Sequence, residues 1–150
     1  MTARTLMNEN LVALKPTDSV ITAAELILQH HLRHLPVVDE KGRYLGTFGI
    51  YSMLQLTLPS AVLKQGLENI AFVKETSHDL AQRLNKRHDE PVRNWLTQDP
   101  IVYPDTPVMK VLQLILKGHT SVPVVNRETE RLEGIISSWN VLETLMRERA

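Results

Sequence analysis

The sequence predicts an α+β fold, built from two β-α-β-β-α units with a helical segment inserted between them. Three observations carry that prediction. The phrase Arg33-His34-Leu35-Pro36-Val37-Val38-Asp39 returns as Thr120-Ser121-Val122-Pro123-Val124-Val125-Asn126. Each copy follows an apolar ladder at helical spacing: Val20, Ala23, Ala24, Ile27 and Leu28, then Val108, Val111, Leu112, Ile115 and Leu116. Each precedes a glycine entering a short apolar run, Gly46-Thr47-Phe48 and Gly134-Ile135-Ile136. The offset is 89 residues at the start, 88 at the ladders, 87 at the prolines and 88 at the glycines. One-residue slips belong in loops, so the pattern marks a duplicated supersecondary unit.

Each repeat opens with a short helix, residues 3–7 and 91–96, with Pro91 suited to a first helical turn. β-like runs follow, Leu11-Val12-Ala13-Leu14 and Ile101-Val102-Tyr103. A proline turn then leads to a capped helix. Asp18 is the expected cap in the first repeat; in the second, Thr106 takes the cap and Pro107 the first helical position. The ladders are the apolar stripe of a helix with one buried face. The Pro-Val-Val runs are β-branched and bounded by turn residues 39–42 and 126–129, so they read as hairpin strands. Proline lacks a ladder donor, which predicts that Pro36 and Pro123 mark strand starts. The partner strands are Tyr44 to Phe48 and Leu132 to Ile136, followed by helices over 51–56 and 138–147. The chain thus divides into repeat 1 (1–56), a helical insert (57–90) and repeat 2 (91–150), with the two repeats sharing one core. In the insert, Leu63, Leu67, Ile70 and Ala71 form one helical stripe. Ser77 is the expected cap of a second helix carrying Leu80 and Leu84, which ends before Pro91. The segment is too apolar for a flexible linker and is expected to pack on the body or on a second subunit.

Composition excludes several function classes. The 17 basic and 17 acidic residues cancel, so no bulk electrostatic attraction to nucleic acid is expected. No apolar run reaches the roughly 18 residues of a membrane span, and the N-terminus lacks a secretory apolar stretch. Without cysteine there is no disulfide and no thiolate site. A cytoplasmic protein with no membrane partner is expected, and near-zero net charge favours self-association. There is no Gly-x-Ser-x-Gly elbow, no phosphate-cradling glycine loop and no His-Glu-x-x-His, so the chain is not expected to be an enzyme.

The residues Arg33-His34-Leu35-Pro36-Val37-Val38-Asp39, the glycine-led strand and the strand-to-helix turn resemble the CBS (cystathionine β-synthase) domain. The lead-in phrases Ala3-Arg4-Thr5-Leu6-Met7 and Val92-Arg93-Asn94-Trp95-Leu96 resemble that family's short first helix. Two copies in order resemble a Bateman module, covering about residues 3–54 and 92–147. The resemblance implies two repeats related by a pseudo-twofold axis, two clefts, and a regulatory ligand: AMP, ADP, ATP or S-adenosylmethionine, with no resident cofactor. It also implies a homodimer that signals to a separate regulated protein. In ligand-binding members the turn after the second hairpin strand carries a Ser or Thr that faces phosphate and, three residues on, an Asp that accepts both ribose hydroxyls. Here the first repeat has Gly49 and Ser52 at those places, and the second has Ser137 and Asn140. Asn140 can still accept one hydroxyl, so the second cleft is the favoured site, with Ser121, Val122, Pro123, Ser137 and Asn140. The first cleft, with Arg33, His34, Leu35, Pro36 and Ser52, is expected to be defective. The alternative is a ligand-independent dimerisation or interaction module with degenerate nucleotide sites.

Other clusters have simpler readings. His30, His31 and His34 lie at a helix end with no acidic partner near in sequence, which disfavours a metal. His31 and His119 occupy equivalent positions and are expected to share a structural role there. Arg33 and His34 suit either phosphate or solvent, and Lys117, His119 and Arg127 form a weaker basic patch. Tyr51 and Trp139 are expected at an interface and Trp95 in the core.

Overall fold

The computed structural model describes residues 1–68 and 70–149. Its elements are helices α1 (Ala3–Leu6) and α2 (Val20–His30), strands β1 (His34–Val38) and β2 (Tyr44–Gly49), helices α3 (Ile50–Leu56), α4 (Ser60–Gln65), α5 (Ser77–Lys86) and α6 (Val108–Leu116), strands β3 (Ser121–Val125) and β4 (Leu132–Ser137), and helix α7 (Ser138–Arg149). Short 3-10 helices span Ile70–Phe72 and Val92–Trp95. Strands β1 and β2 form one two-stranded sheet, and β3 and β4 another. The mixed α+β class is the one expected. Two compact units emerge, and each draws on both repeats: one holds 1–15, 36–47 and 97–150, the other 16–35 and 48–96.

The first unit has a core of Ala3, Leu6, Val102, Val111, Leu114, Val122, Val124, Ile136 and Val141. Helix α6 packs on β3, α7 on β4, and α1 on α7. Strands β3 and β4 pair antiparallel, with Ser121 opposite Ser137, Pro123 opposite Ile135, and a bulge between Val124 and Val125. The same unit holds the β1–β2 turn. There the Asp39 carboxylate accepts from the amides of Lys41 and Arg43, both at 2.9 Å, and from Arg43 Nε at 2.7 Å. The Arg43 amide, more than any other group, holds the Asp39 carboxyl below the usual carboxylate range. A lowered folded value means that this contribution is present above pH about 3.9 and lost as pH falls through the folded value. NMR titration should therefore show the Lys41 and Arg43 amides shifting only in that acid window. A transition of these amides near neutral pH would contradict the assignment.

The second unit contains the buried side chains Val20, Ala23, Ile27, Leu35, Phe48, Leu56 and Val92. Helix α3 packs against α2 and α5, and Arg83 of α5 donates to the Thr57 carbonyl at 3.1 Å.

The prolines govern the runs read as β from the sequence. Leu14 and Val102 each form a single parallel bridge, to Val37 and Val124, and no strand develops. Leu14 donates to the Pro36 carbonyl at 2.9 Å and accepts from Val38 at 2.9 Å; Val102 likewise donates to Pro123 at 3.0 Å and accepts from Val125 at 2.9 Å. Extending either ladder backwards needs an N–H at Pro36 or Pro123, and extending it forwards needs one at Pro16 or Pro104. None of the four exists. For the same reason Pro36 and Pro123 stand third in five-residue strands instead of starting them. Both groups of a strand residue face one flank, and each nitrogen lies on the bridge side, away from the hairpin partner.

Equivalent residues of the two repeats make equivalent long-range bonds. In the first unit Ala3 donates to Thr106 at 2.9 Å and Arg4 to Pro104 at 3.0 Å; in the second, Val92 donates to Asp18 at 2.8 Å and Arg93 to Pro16 at 3.1 Å. The lead-in of each repeat therefore pairs with the turn ahead of the other repeat's ladder helix. Within the first unit the pattern continues: Asn8 bridges Ile135, Thr97 bridges Thr47, and Arg43 bridges its own counterpart Arg131, all antiparallel. A Tyr44–Thr47–Asp99 chain reinforces the Thr97 pairing, with Tyr44 Oη 2.8 Å from Thr47 Oγ1, which donates to Asp99 at 2.7 Å. Burial holds the Tyr44 hydroxyl above its ordinary pKa.

Several caps differ from expectation. Ser19, not Asp18, caps α2, accepting from the Thr22 amide at 3.2 Å, while the Asp18 carbonyl receives Val92. Thr106 closes the preceding turn by accepting from the Tyr103 amide at 2.9 Å, which leaves Pro107 at the cap of α6 without a side-chain bond. Thr76 caps α5 in a reciprocal box with Asp79, and Ser77 is the first helical residue. The Leu63 stripe breaks because Gly66, at φ +94°, ends α4; Leu67 and Ile70 lie beyond it and are exposed. The counterpart of His31 is Gly118, not His119. Both stand left-handed, at φ 53° and 106°, in the αL position that ends a helix. Trp95, expected in the core, is half-buried, with the Arg87 guanidinium 5.1 Å from the ring centroid.

Candidate functional site

The strand-to-helix turn of the second repeat is a closed ring of hydrogen bonds. Ser137 caps α7: its Oγ accepts from the Asn140 amide at 3.2 Å. The Ser137 amide and hydroxyl both donate to Asn140 Oδ1, at 3.0 and 2.9 Å. The Asn140 oxygen, the acceptor expected to meet a ribose hydroxyl, is therefore occupied by the cap. Its amide nitrogen is the group left to recognise a ligand, and it donates.

Beside this cap lies a cavity of about 380 Å³, lined by Thr5, Leu6, Met7 and Asn8 on one side and Asn140, Glu143, Thr144 and Arg147 on the other. The second set falls at i, i+3, i+4 and i+7, one face of α7. The first set is placed by the lead-in. Asn8 donates to Ile135 at 2.8 Å and accepts from it at 3.1 Å. Gly134 permits that approach, because a Cβ there would stand 2.8–2.9 Å from Met7 side-chain atoms. Glu143 and Arg147 form no ion pair among the described residues. Arg147 Nε reaches only the Glu143 carbonyl, at 3.4 Å. The cavity thus presents a carboxylate, a guanidinium, two hydroxyls and two amides, and its volume falls within the range of small-molecule sites, about 300–1,000 Å³.

Of the residues proposed for the second cleft, Asn140 lines this cavity and Ser137 supports it through the cap. Ser121, Val122 and Pro123 are buried in β3 and do not line it.

The corresponding positions of the first repeat are closed. A Cβ on Gly49 would lie 2.6 Å from the His34 Cβ and 2.8 Å from the Arg33 carbonyl oxygen. Ser52 is buried and donates to the Trp95 carbonyl at 3.3 Å. The counterparts of Glu143, Thr144 and Arg147 are Gln55, the buried Leu56 and Pro59, so this face of α3 carries no charge. Leu35 and Pro36 are buried, Arg33 is exposed and His34 is half-buried. In the weaker basic patch, Arg127 is engaged: its guanidinium lies 3.9 Å from the Tyr103 ring centroid and donates to Asp105 at 2.9 Å, which lowers the Asp105 pKa.

Thr5, Asn8, Glu143, Thr144 and Arg147 escaped the sequence reading. The spacing of the last three from Asn140 was the available signal. Tyr51 and Trp139 are 81% and 70% exposed, as are their neighbours Leu54 and Leu142 in large part. Among the described residues no three potential ligands cluster to hold a metal, and no helix is long and apolar enough to cross a membrane.

Comparison with known proteins adds the lineage. A family model described as CBS domain matches residues 3–56 and 92–147. The chain is 26% identical over 143 residues to CBS domain-containing protein CBSX2, chloroplastic, of Arabidopsis thaliana, and 27% over 145 residues to CBSX1 of the same plant. It covers 60% of the length of each of these relatives. A crystal structure of the Arabidopsis thaliana CBS-pair protein CBSX2 superposes with a TM-score of 0.77 at 23% identity, covering 99% of this chain and 96% of that one. A crystal structure of CBSX2 in complex with AMP gives 0.73 at 24%, covering 99% and 98%.

Proposed function

Since the chain belongs to the CBS domain family and carries the domain twice, we propose that it is a regulatory, non-catalytic protein that takes an adenosine-type ligand beside Asn140 and signals to a partner protein. AMP, ADP, ATP and S-adenosylmethionine are the ligands in question. The observation that carries the reading is the polar cavity on α7, which holds both signs of charge and has no equivalent set of residues in the first repeat. The AMP complex of CBSX2 lends it support. Ser137 holds the start of α7 and Asn140 offers its amide. Ser121, Val122 and Pro123 form the strand behind the cap, while Arg33, His34, Leu35, Pro36 and Ser52 serve the scaffold. Ligand acts by population shift, favouring the arrangement of α1 and α7 in which the cavity is formed.

The working form is a homodimer. Trp139, Leu142, Leu145 and Met146 leave an apolar row exposed on α7, and Tyr51 and Leu54 do the same on α3. The absence of cysteine suits the cytoplasmic setting proposed for it.

Thermal denaturation with millimolar AMP, ADP, ATP and S-adenosylmethionine tests the reading. A ligand at 100 times its Kd adds about 2.7 kcal/mol of stability. Asn140→Ala should weaken that ligand about tenfold, whereas Ser52→Ala should leave its affinity unchanged. No shift with any of the four contradicts the reading. It would favour instead a ligand-independent dimerisation module, to which the closed first-repeat turn at Gly49 and Ser52 already points.

A further inference from the structure

The chain has no cysteine, so its five methionines hold all of its sulfur. Met1, Met109 and Met146 are exposed. Met7 is placed differently. It lines the cavity between α1 and α7, and its half-buried side chain also packs on the core of the first unit. The same side chain lies directly on β4: a Cβ built on Gly134 would stand 2.8 Å from Met7 Sδ and 2.9 Å from its Cβ and Cγ. The next residue, Asn8, exchanges backbone hydrogen bonds with Ile135, at 2.8 and 3.1 Å. Met7 thus joins the lead-in to β4 at the point where the cavity gives access to its side chain. The equivalent residue of the second repeat is Leu96, which likewise precedes a bridging residue, Thr97. Leucine therefore satisfies the packing, and the sulfur is surplus to it.

A thioether sulfur attacks one oxygen of a hydroperoxide. The O–O bond breaks, an S–O bond forms, and the proton on the transferred oxygen passes to the departing one, which leaves as water or an alcohol. Sulfur gives up two electrons and the peroxide takes them, so the product is methionine sulfoxide, polar where the parent was apolar. An apolar core offers the new oxygen no donor, and the Gly134 backbone leaves it no space. We infer that Met7 is a redox-sensitive modification site: a hydroperoxide converts it to the sulfoxide, which releases the lead-in from β4 and dismantles one wall of the cavity, and methionine sulfoxide reductases restore it. Any occupant of the cavity meets that wall, so the site is independent of the adenosine reading.

Hydrogen peroxide treatment of the full chain tests it, read by site-resolved mass spectrometry, amide hydrogen exchange and thermal melting. Met7 sulfoxide should form in the folded chain alongside the sulfoxides of exposed Met109 and Met146. Its formation should lower the melting temperature by about 3 °C or more and speed exchange of the Asn8 and Ile135 amides at least about tenfold. Met7→Leu should melt within a few degrees of the unoxidised parent. Peroxide should then change neither its melting temperature nor those two amides, although Met1, Met53, Met109 and Met146 remain open to oxidation. Should the variant fold poorly, the parent carries its own control: the two sulfoxide reductases, one for each epimer, should return both readouts to their starting values. Met7 staying reduced while Met109 is fully converted would overturn the inference. So would an equal loss of stability in peroxide-treated Met7→Leu, or unchanged exchange at Asn8 and Ile135 once Met7 is oxidised.

Discussion

Phe48→Ala should destabilise the chain by about 3–5 kcal/mol, the largest effect expected of any single truncation here. Phe48 is fully buried and the bulkiest of the fully buried side chains. Its removal takes away transfer free energy and leaves a cavity that rigid neighbours fill only in part. For a chain of this size each kcal/mol moves the melting temperature by about 2–4 °C, so a drop on the order of 10 °C or more is expected. Denaturant titration should show a lower midpoint at an unchanged slope. Its counterpart Ile136, also fully buried, belongs to the core of the other unit. Its truncation to alanine should cost about 2–5 kcal/mol. A loss under 1 kcal/mol at either site would mean that the core is not packed as described.

Gly49→Ser is the second large effect, and it bears on function. The change writes the missing hydroxyl into the first repeat and looks, in sequence, like a repair. At φ −151° the backbone is extended and accepts any residue, so the obstacle is space. The new Cβ would meet the His34 Cβ at 2.6 Å and the Arg33 carbonyl at 2.8 Å. Neither can swing aside, because that carbonyl also accepts the Ile50 amide at 2.9 Å. Overpacking of this kind costs about 1–3 kcal/mol, and more where backbone must move. Thermal melting should show the loss, and titration should show no gain in nucleotide affinity. A stable variant with a second ligand site would refute this account of the first repeat.

The repeat made the order of elements legible because hydrophobic periodicity depends on side chains that are present in the sequence. The ladders at Val20 and Val108 became helices with buried faces, and the Pro-Val-Val runs became hairpin strands. Cap positions were harder. Asp18 and Ser19, or Thr76 and Ser77, offer adjacent side chains that can all cap, and only the register of the first turn selects between them. The failure of Leu11–Leu14 to form a strand was legible in Pro16 and Pro36, once it is known which nitrogens the ladder needs. The crossing of each lead-in to the other repeat was not, because Asn8–Ile135 and Thr97–Thr47 are backbone pairings with no side-chain signature. Since the lead-in that ends at Asn8 forms half of the cavity wall, Thr5 and Asn8 were hidden with its crossing. Asn140 was visible through its place in the turn. Glu143 and Arg147 acquire a facing wall only because α1 packs on α7, a contact that no residue pattern in the sequence marks.

On the proposed function the duplicated architecture carries one ligand site and not two. Calorimetric stoichiometry tests this most directly. Titration of the chain with AMP should give one molecule bound per chain, with binding reduced at least tenfold by Arg147→Met and unaffected by Ser52→Ala. Two molecules per chain, or one whose affinity depends on Ser52 and not on Arg147, would contradict it.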